Sequence, residues 1–276
     1  MVMRISEKNN ITLYQFESPA FESVTTFVTT RHNITHTANP RGNFNLGLYC
    51  GDDTAQVEAR LLQLCGALGI ARTRLYYPRQ VHGCKVLAID SNFVALPHSE
   101  QLEALDGVDA IITNVPQVAI AVTTADCVPI VLFDPVHRAI AAIHAGWRGT
   151  AQNIVEHTVH TMSQLYATQP HEIHAGIGPC IGMEAYEVGD EVIEAMYRAG
   201  VDVDSVTVRN RNTHKMHIDL AATNADMLLR CGVELMNIEV CGICTHHNSA
   251  NFYSVRALGN ETGRFLTGVM MRDDSV

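Results

Sequence analysis

The segment from 108 to 144 constrains the fold more than any other part of the chain. Its apolar, β-rich runs predict three or four consecutive strands, at 108–113, 118–123, 128–133 and 139–144. The connections between these runs are too short to contain a crossover helix, which parallel neighbours in one sheet would need. We therefore expect antiparallel pairs or a mixed sheet, and the pattern disfavours a simple doubly wound Rossmann order.

Strand and helix patterns alternate along the rest of the chain. Further strand-like runs lie at 24–30, 81–89, 173–177 and 238–241. Helical patterns lie at 54–68, closed by Gly69, at 150–167, at 190–199, and at 220–231, closed by Gly232. No shift in composition marks a linker. We expect an α/β fold, a single domain over residues 1–276 with mixed, partly antiparallel sheets and flanking helices.

The composition excludes several classes of protein. The 276 residues are 47% apolar and 17% charged, a globular profile. A formal charge of −10 argues against nucleic acid as the main partner, because neutralising phosphates needs a basic face. No window approaches 18 uncharged apolar residues, and the first ten residues contain no apolar stretch. We expect no membrane partner and no secretory signal, and a cytoplasmic monomer or small homo-oligomer.

The chain is rich in histidine and cysteine, with 14 and 8 residues. Three of them, His82 in QVHG, Cys127 in TADCVP and His144 in AIHAGWRG, each lie close to an apolar run. If neighbouring strands bring them together, they form a zinc site of two nitrogens and one sulfur with an open fourth position, typical of a catalytic zinc. Copper also accepts this donor set. Taken singly, each histidine could instead satisfy a backbone carbonyl, and Cys127 could be a small buried apolar residue.

Three further groups of residues have weaker signals. Arg148, flanked by glycines and followed by a helical pattern at Thr150, predicts an anion site, with a surface arginine as the alternative. The glycine-rich stretch 176–182 lacks the spacing of a dinucleotide-binding loop and predicts a tight loop, with Cys180 either facing a pocket or packed. Cys241 and Cys244 have CxxC spacing without a second ligand pair, which favours packing or pocket lining.

Several motifs occur together in a fixed order along nearly the whole chain. They are NLG at 45–47 with GD at 51–52, QVHG at 80–83, TADCVPI at 124–130, AAIHAGWRGT at 141–150, GPCIG at 178–182, YEVG at 186–189, and CT, NFYSVR and TGR within 244–264. With these motifs the chain resembles the YfiH-like family, whose members are also called laccase-domain or polyphenol-oxidase-like proteins. It departs from the common pattern after Arg31, at residues 32–41, and at 254–256.

The resemblance implies a single α/β domain and a catalytic zinc on His82, Cys127 and His144. It also implies phosphorolysis of adenosine, inosine or methylthioadenosine by inorganic phosphate, and hydrolytic deamination of adenosine. Copper-dependent oxidation of phenols and a zinc-stabilised binding protein without turnover are the alternatives. We expect Arg148 to join the metal ligands in catalysis, and the substrate to be contacted by Arg31, Asn45, Arg148, Cys180 and Cys244.

Overall fold

The computed structural model describes residues 3–31, 41 and 44–273. These residues form the strands β1 (Arg4–Lys8), β2 (Ile11–Gln15), β3 (Val24–Thr29), β4 (Leu75–Tyr76), β5 (Val86–Ala88), β6 (Ala110–Thr113), β7 (Ala119–Thr124), β8 (Val128–Asp134), β9 (Ala139–Ala145), β10 (His174–Ile177), β11 (Glu187–Val188), β12 (Thr207–Arg209), β13 (Met216–Ile218), β14 (Ile238–Val240) and β15 (Phe265–Met271). Their helices are α1 (Thr54–Leu68), α2 (Ser91–Ala95), α3 (His98–Ala104), α4 (Trp147–Ala151), α5 (Ile154–Tyr166), α6 (Asp190–Arg198), α7 (Val203–Val206), α8 (Leu220–Arg230) and α9 (Val255–Leu258).

Two six-stranded sheets and one small sheet contain these strands. The first sheet has the order β1-β2-β3-β15-β7-β4, the second β14-β10-β8-β9-β6-β5, and the small one β11-β13-β12. Most neighbours are antiparallel, whereas β4 with β7, β5 with β6, and β10 with β14 are parallel. The prediction of an α/β fold with mixed, partly antiparallel sheets and flanking helices is confirmed.

The two large sheets pack against each other, and helices cover their outer faces. On β8, Val131 and Phe133 enter the core between the sheets, while Ile130 and Leu132 face the core beneath α5 and α8. The outer face of the first sheet is covered by α1 in a third core. Because successive side chains of a strand point to opposite faces, a strand covered on both sides must be apolar throughout. This explains the uninterrupted apolar runs of β8 and β9.

Two boundaries differ from the sequence predictions. The predicted strand 81–89 is a strand only at β5, because the backbone N–H groups of 81–83 bond to the carboxylate of Asp109 instead of to a neighbouring strand. The predicted helix 150–167 begins earlier and is divided into α4 and α5. The division lies at Asn153, whose φ of 58° is a left-handed conformation that asparagine tolerates better than most residues.

Seven of the described strands were not predicted from the sequence: β1, β2, β4, β11, β12, β13 and β15. The longest of them is β15. All seven residues of β15 are buried, and the strand lies between β3 and β7 in the middle of the first sheet.

Among the described residues, no helix is both long enough and apolar enough to cross a lipid bilayer.

The packing of β8 generates a prediction for stability. Leu132→Ala should lower the free energy of unfolding by about 2–5 kcal/mol, because it removes buried methyl groups and leaves a cavity. Val136→Ala, at a position 61% exposed in the turn after β8, should change it by less than about 0.5 kcal/mol. Urea denaturation measures both values, and equal losses would contradict the double coverage of β8.

Candidate active site

The three predicted metal ligands meet at one end of the second sheet. Cys127 immediately precedes β8, and His144 lies near the end of β9, the antiparallel neighbour of β8. His82 comes from the loop before β5. One ligand atom from each residue lies within 4.8 Å of the others. Cys127 and His144 lie at strand ends as predicted, and the antiparallel pairing of β8 with β9 brings them together, whereas His82 lies in a loop and not at the end of a strand.

A buried carboxylate fixes the relative positions of two of these ligands. The fully buried side chain of Asp109 accepts hydrogen bonds from the backbone N–H groups of Val81, His82 and Gly83 at 3.2, 2.9 and 2.8 Å. It also lies 2.8 Å from Nδ1 of His144. When Nδ1 donates its proton to Asp109, Nε2 of His144 remains as the metal-binding atom.

The sequence analysis missed Asp109. The signal was available, since an acidic residue inside the apolar run 108–113 cannot be buried without partners. Burial raises the pKa of Asp109, but the hydrogen bond and charge of His144, together with the backbone N–H groups, hold it below its usual range. Asp109 is therefore ionised at neutral pH and stabilises a proton on His144.

The ligands also change each other's proton affinity. Burial raises the pKa of the Cys127 thiol, yet the neighbouring imidazoles of His144 and His82 lower it to about 6. Burial lowers the pKa of His144, yet Cys127 and Asp109 raise it to about 9. Between these two values the metal-free protein contains a thiolate beside an imidazolium, and the thiolate is the form that binds metals.

The glycine after β9 is required by this close approach. A Cβ atom on Gly146 would lie 2.9 Å from Cδ2 of His82 and 3.1 Å from Sγ of Cys127. The ring centroids of His82 and His144 are 4.8 Å apart. Only glycine leaves the two ligands room beside the chain as it turns into α4.

The arrangement fits a transition metal. Two imidazoles and a thiolate, with three donors and one side open to a cavity, suit zinc, and copper accepts the same donors. The lowered pKa of Cys127 makes its thiolate available to a metal, and the bond from Nδ1 of His144 to Asp109 leaves Nε2 as the ligand atom, whose proton a bound metal would displace. Bound there, a metal would have a free coordination position for water or substrate.

A cavity of about 650 Å³ opens beside the three ligands. Its wall includes Gln80, whose side-chain amide pairs with the backbone N–H and C=O of Thr123 at 2.8 Å each. It also includes Asp126, which has a left-handed φ of 96° next to Cys127. Asp126 accepts hydrogen bonds from Thr245 Oγ1 and from the backbone N–H of Arg256, at 2.7 and 2.8 Å. These bonds hold the turn that presents Cys127.

Two cavity residues that sequence analysis missed are arginines. Arg256 lies 5.6 Å from the ring centroid of Tyr186, another wall residue, and donates to the backbone carbonyls of Ala185 and Glu187. Arg264 is half-buried, and its Nη1 donates to two neighbouring backbone carbonyls. No carboxylate pairs with Arg264 among the described residues. Arg256 stands in the atypical segment 254–256, and Arg264 in the TGR motif, so both had been noticed without a role.

The predicted substrate residues do not form part of the cavity lining. Arg148 is exposed in the first turn of α4, with its guanidinium 4.2 Å above the ring of Trp147. Arg31 donates to the backbone carbonyl of Ser249 at 2.7 Å and lies over Tyr253. Residues 32–40 of the atypical segment after Arg31 lie outside the described residues.

The other three predicted substrate residues support the cavity from behind. Asn45 is fully buried and its Oδ1 accepts from the backbone N–H groups of Gly47 and Arg264, while its Nδ2 donates to Asp52. Cys180 and Cys244 form a backbone bridge between two loops. Sγ of Cys244 accepts from the N–H of Gly182, and burial raises the pKa of the Cys180 thiol well above its usual range.

Comparison with known proteins decides the family. A family model described as "Multi-copper polyphenol oxidoreductase laccase" matches residues 25–272. The chain belongs to this family. The sequence motifs had pointed to it under its YfiH-like name.

Curated relatives and solved structures cover nearly the same length. The chain is 42% identical over 248 residues to "Adenosine deaminase RL5" from an unknown prokaryotic organism, covering 90% of this chain and 94% of the relative. It is 36% identical over 252 residues to a purine nucleoside phosphorylase of Bacteroides thetaiotaomicron, covering 91% and 93%. The crystal structure of YlmD from Geobacillus stearothermophilus superposes with a TM-score of 0.87 at 29% identity, covering 99% of both chains.

The paired protonation of Cys127 and His144 generates a prediction for the metal-free protein. Because the pKa of Cys127 is about 6, alkylation of this thiol by iodoacetamide should reach half its maximal rate near pH 6. Cys180, whose pKa is raised and which is buried, should stay unmodified at neutral pH. Peptide mass spectrometry over a pH series identifies the modified residue. A Cys127 rate that rises only above pH 8 would contradict the pairing.

A second variant tests the part played by Asp109 in this pairing. Asp109→Asn removes the charge that favours protonated His144, so the alkylation midpoint of Cys127 should rise by about one pH unit. Asp106→Asn, three residues away and exposed, should leave the midpoint unchanged. If both variants shift it equally, a general change in charge, and not the contact with His144, is responsible.

Proposed function

We propose that this chain is a zinc-dependent purine nucleoside enzyme. It would cleave adenosine, inosine and methylthioadenosine with inorganic phosphate and deaminate adenosine with water. The observation that carries the proposal is the set of His82, Cys127 and His144, open on one side to a cavity large enough for a nucleoside. The names of the two relatives described above, one a deaminase and one a phosphorylase, support both reactions.

The metal ligands and their supports have distinct parts in this function. His82, Cys127 and His144 would hold zinc, which when bound supplies a Lewis acid and lowers the pKa of a coordinated water. Asp109 keeps the proton of His144 on Nδ1, away from the metal. Asp126, tied to Thr245 and to the backbone of Arg256, holds the turn that directs Cys127 into the cavity.

We assign the phosphate to Arg264. The sequence favoured Arg148 with Arg31, but neither contributes to the cavity lining, whereas Arg264 does. A half-buried guanidinium without a carboxylate partner favours an anion, and two of its nitrogens, Nε and Nη2, make no hydrogen bond within the described part of the chain. Held there, phosphate would be oriented for attack on the anomeric carbon of the ribose, as the bond to the purine breaks.

The purine would lie against Tyr186. This ring forms part of the cavity wall, and Arg256 lies over it. A ring held from behind by a guanidinium, which is itself fixed by two backbone carbonyls, offers a rigid face for stacking. Phosphorolysis needs the glycosidic bond near the metal, whereas deamination needs the amino-bearing carbon of the purine there. One metal site can serve both reactions only if the nucleoside shifts in the cavity between them.

A second candidate function is copper-dependent oxidation of phenols. The description of the family model favours it, and copper accepts the same donor set. Against it, no two of the 14 histidines are separated by one residue, so the His-x-His pairs expected of a multicopper oxidase are missing. Metal analysis of protein purified without added copper, together with oxygen consumption on a phenol, distinguishes the two functions.

The remaining expectations rest on composition. We infer that the chain acts as one domain in the cytoplasm, as a monomer or small homo-oligomer, without nucleic acid or membrane as a partner. The acidic balance of 29 acidic to 19 basic residues supports this. Light scattering coupled to size-exclusion chromatography gives the oligomeric state.

The zinc role leads to a direct test. Cys127→Ala and His82→Ala should each abolish zinc retention and reduce both adenine release and inosine formation from adenosine to background. Cys231→Ala, a thiol outside the cavity, should retain both zinc and activity. Mass spectrometry of the products with and without phosphate is the readout. Full activity of a zinc-free Cys127→Ala protein would refute the zinc role, and an unreactive zinc-loaded wild type would indicate a binding protein.

The phosphate assignment is tested separately. Arg264→Gln should raise the KM for phosphate about 10-fold to 100-fold, because a charged hydrogen bond to the anion is lost. Adenosine deamination, which uses water, should stay within about 3-fold. Arg148→Gln should leave both unchanged. If Arg148→Gln raises the KM for phosphate and Arg264→Gln does not, Arg148 binds the phosphate. If Arg264→Gln reduces phosphorolysis and deamination equally, Arg264 has a structural role.

A further inference from the structure

A second group of metal-ligating side chains lies at the other end of β8 from Cys127. Asp134 is the last residue of β8, and His137 lies in the turn between β8 and β9. Glu172 ends the short 3₁₀ helix Pro170–Glu172, just before β10. One ligand atom from each of the three lies within 4.8 Å of the others. None of the three lines the cavity beside Cys127.

One imidazole nitrogen faces both carboxylates. Nδ1 of His137 lies 2.9 Å from Oδ2 of Asp134 and 3.5 Å from Oε2 of Glu172. A single N–H proton is used by the shorter contact. Oε2 of Glu172 is shielded from water and has no hydrogen-bond partner within the described residues. The Glu172 side chain is 23% exposed, but this oxygen itself lacks a hydrogen-bond donor, and a cation held among the three groups would satisfy it.

The carboxylate of Asp134 is oriented for such a cation. Its Oδ1 accepts the backbone N–H groups of Val136 and His137 at 2.9 and 3.1 Å, so that Oδ2 alone faces His137. The side chain is fully buried. Burial raises the pKa of Asp134, but the hydrogen bonds from His137 and from the backbone N–H of Val136 help to hold it below its usual range. The group is therefore charged, and its support resembles that of an oriented metal ligand.

We propose that Asp134, His137 and Glu172 form a second site, which binds a divalent transition metal of the zinc type. Donor atoms about 2.0–2.2 Å from a tetrahedral zinc lie roughly 3.3–3.6 Å from each other, so contacts of 2.9 and 3.5 Å need only small adjustments. One imidazole with two carboxylates favours zinc over calcium, which prefers six to eight oxygens.

The consequence of the second metal is structural. It would join the β8–β9 turn to the segment that leads into β10, the other neighbour of β8. Seven residues of extended chain separate Asp134 from Cys127, so the two sites are roughly 23 Å apart. The second site would then stabilise the sheet without contacting the substrate. The proposal of this site can therefore be wrong while the proposed function is right, and the reverse.

Zinc stoichiometry tests the site. Protein stripped with a chelator, reloaded with zinc alone and passed through gel filtration should retain two zinc ions per chain. His137→Ala and Glu172→Gln should each retain one, and Cys127→Ser should also retain one, at the second site. The double variant Cys127→Ser with His137→Ala should retain none. His171→Ala, an exposed neighbour on the same 3₁₀ helix, should retain two.

Cobalt distinguishes the two sites spectroscopically. Cobalt-loaded Cys127→Ser should lose the thiolate-to-cobalt charge-transfer band and keep weaker bands from the nitrogen and oxygen ligands, and His137→Ala should do the reverse. Circular dichroism shows which variants are folded, and Glu172→Gln serves if His137→Ala is not. The proposal is overturned if His137→Ala and Glu172→Gln retain as much zinc as His171→Ala, or if the double variant retains as much as Cys127→Ser. If the proposed zinc site at Cys127 does not exist but the second site does, the wild type should retain one zinc ion and His137→Ala should retain none.

Discussion

The buried charge of Asp109 links the stability of the core to the geometry of the site. A carboxylate inside the apolar second sheet costs several kcal/mol unless donors surround it. Every side-chain hydrogen bond that the structure gives Asp109 comes from a segment bearing a candidate metal ligand: three backbone N–H groups around His82, and the ring of His144. The core therefore cannot close around Asp109 without also placing those two ligands. The position of Cys127 is fixed by the same sheet, because β8, which begins directly after it, is paired along its whole length with β9.

The layered architecture explains why the chemistry is confined to strand ends. Inside β8 and β9 both faces are covered, so their side chains must be apolar and small enough to pack. Polar ligands are tolerated only where the strands leave the core. Cys127, just before β8, and Asp134, its last residue, occupy those two positions, at opposite ends of one strand. Loops from distant parts of the chain then complete each group of residues.

Local patterns in the sequence predicted a large part of this arrangement. Short connections between apolar runs predicted the mixed sheet, and Gly69, whose φ of 74° is left-handed, ends α1 where the sequence predicted. The residues that the sequence could not assign act through long-range contacts. Asn45 bonds to the backbone of Arg264, 219 residues away, and Asp109 to His144, 35 residues away. Such bonds have no periodicity, and so Asn45 was taken for a substrate residue while Arg264 was left without a role. The loop at 81–83 was predicted as a strand because the local pattern does not reveal that its backbone N–H groups donate to Asp109.

The position of β15 has a consequence for how the chain is made. This strand, the last one along the described residues, lies between β3 and β7, and Thr245 and the backbone of Arg256 hold the turn before Cys127. A ribosome-bound chain that ends before Phe265 has two open sheet edges where β15 belongs, and the edges of β3 and β7 cannot pair with each other in their final places. Domains usually gain structure as they emerge, N-terminal part first. Here the first sheet cannot close until residues 265–271 are available, so a chain truncated before Phe265 is left with two exposed strand edges.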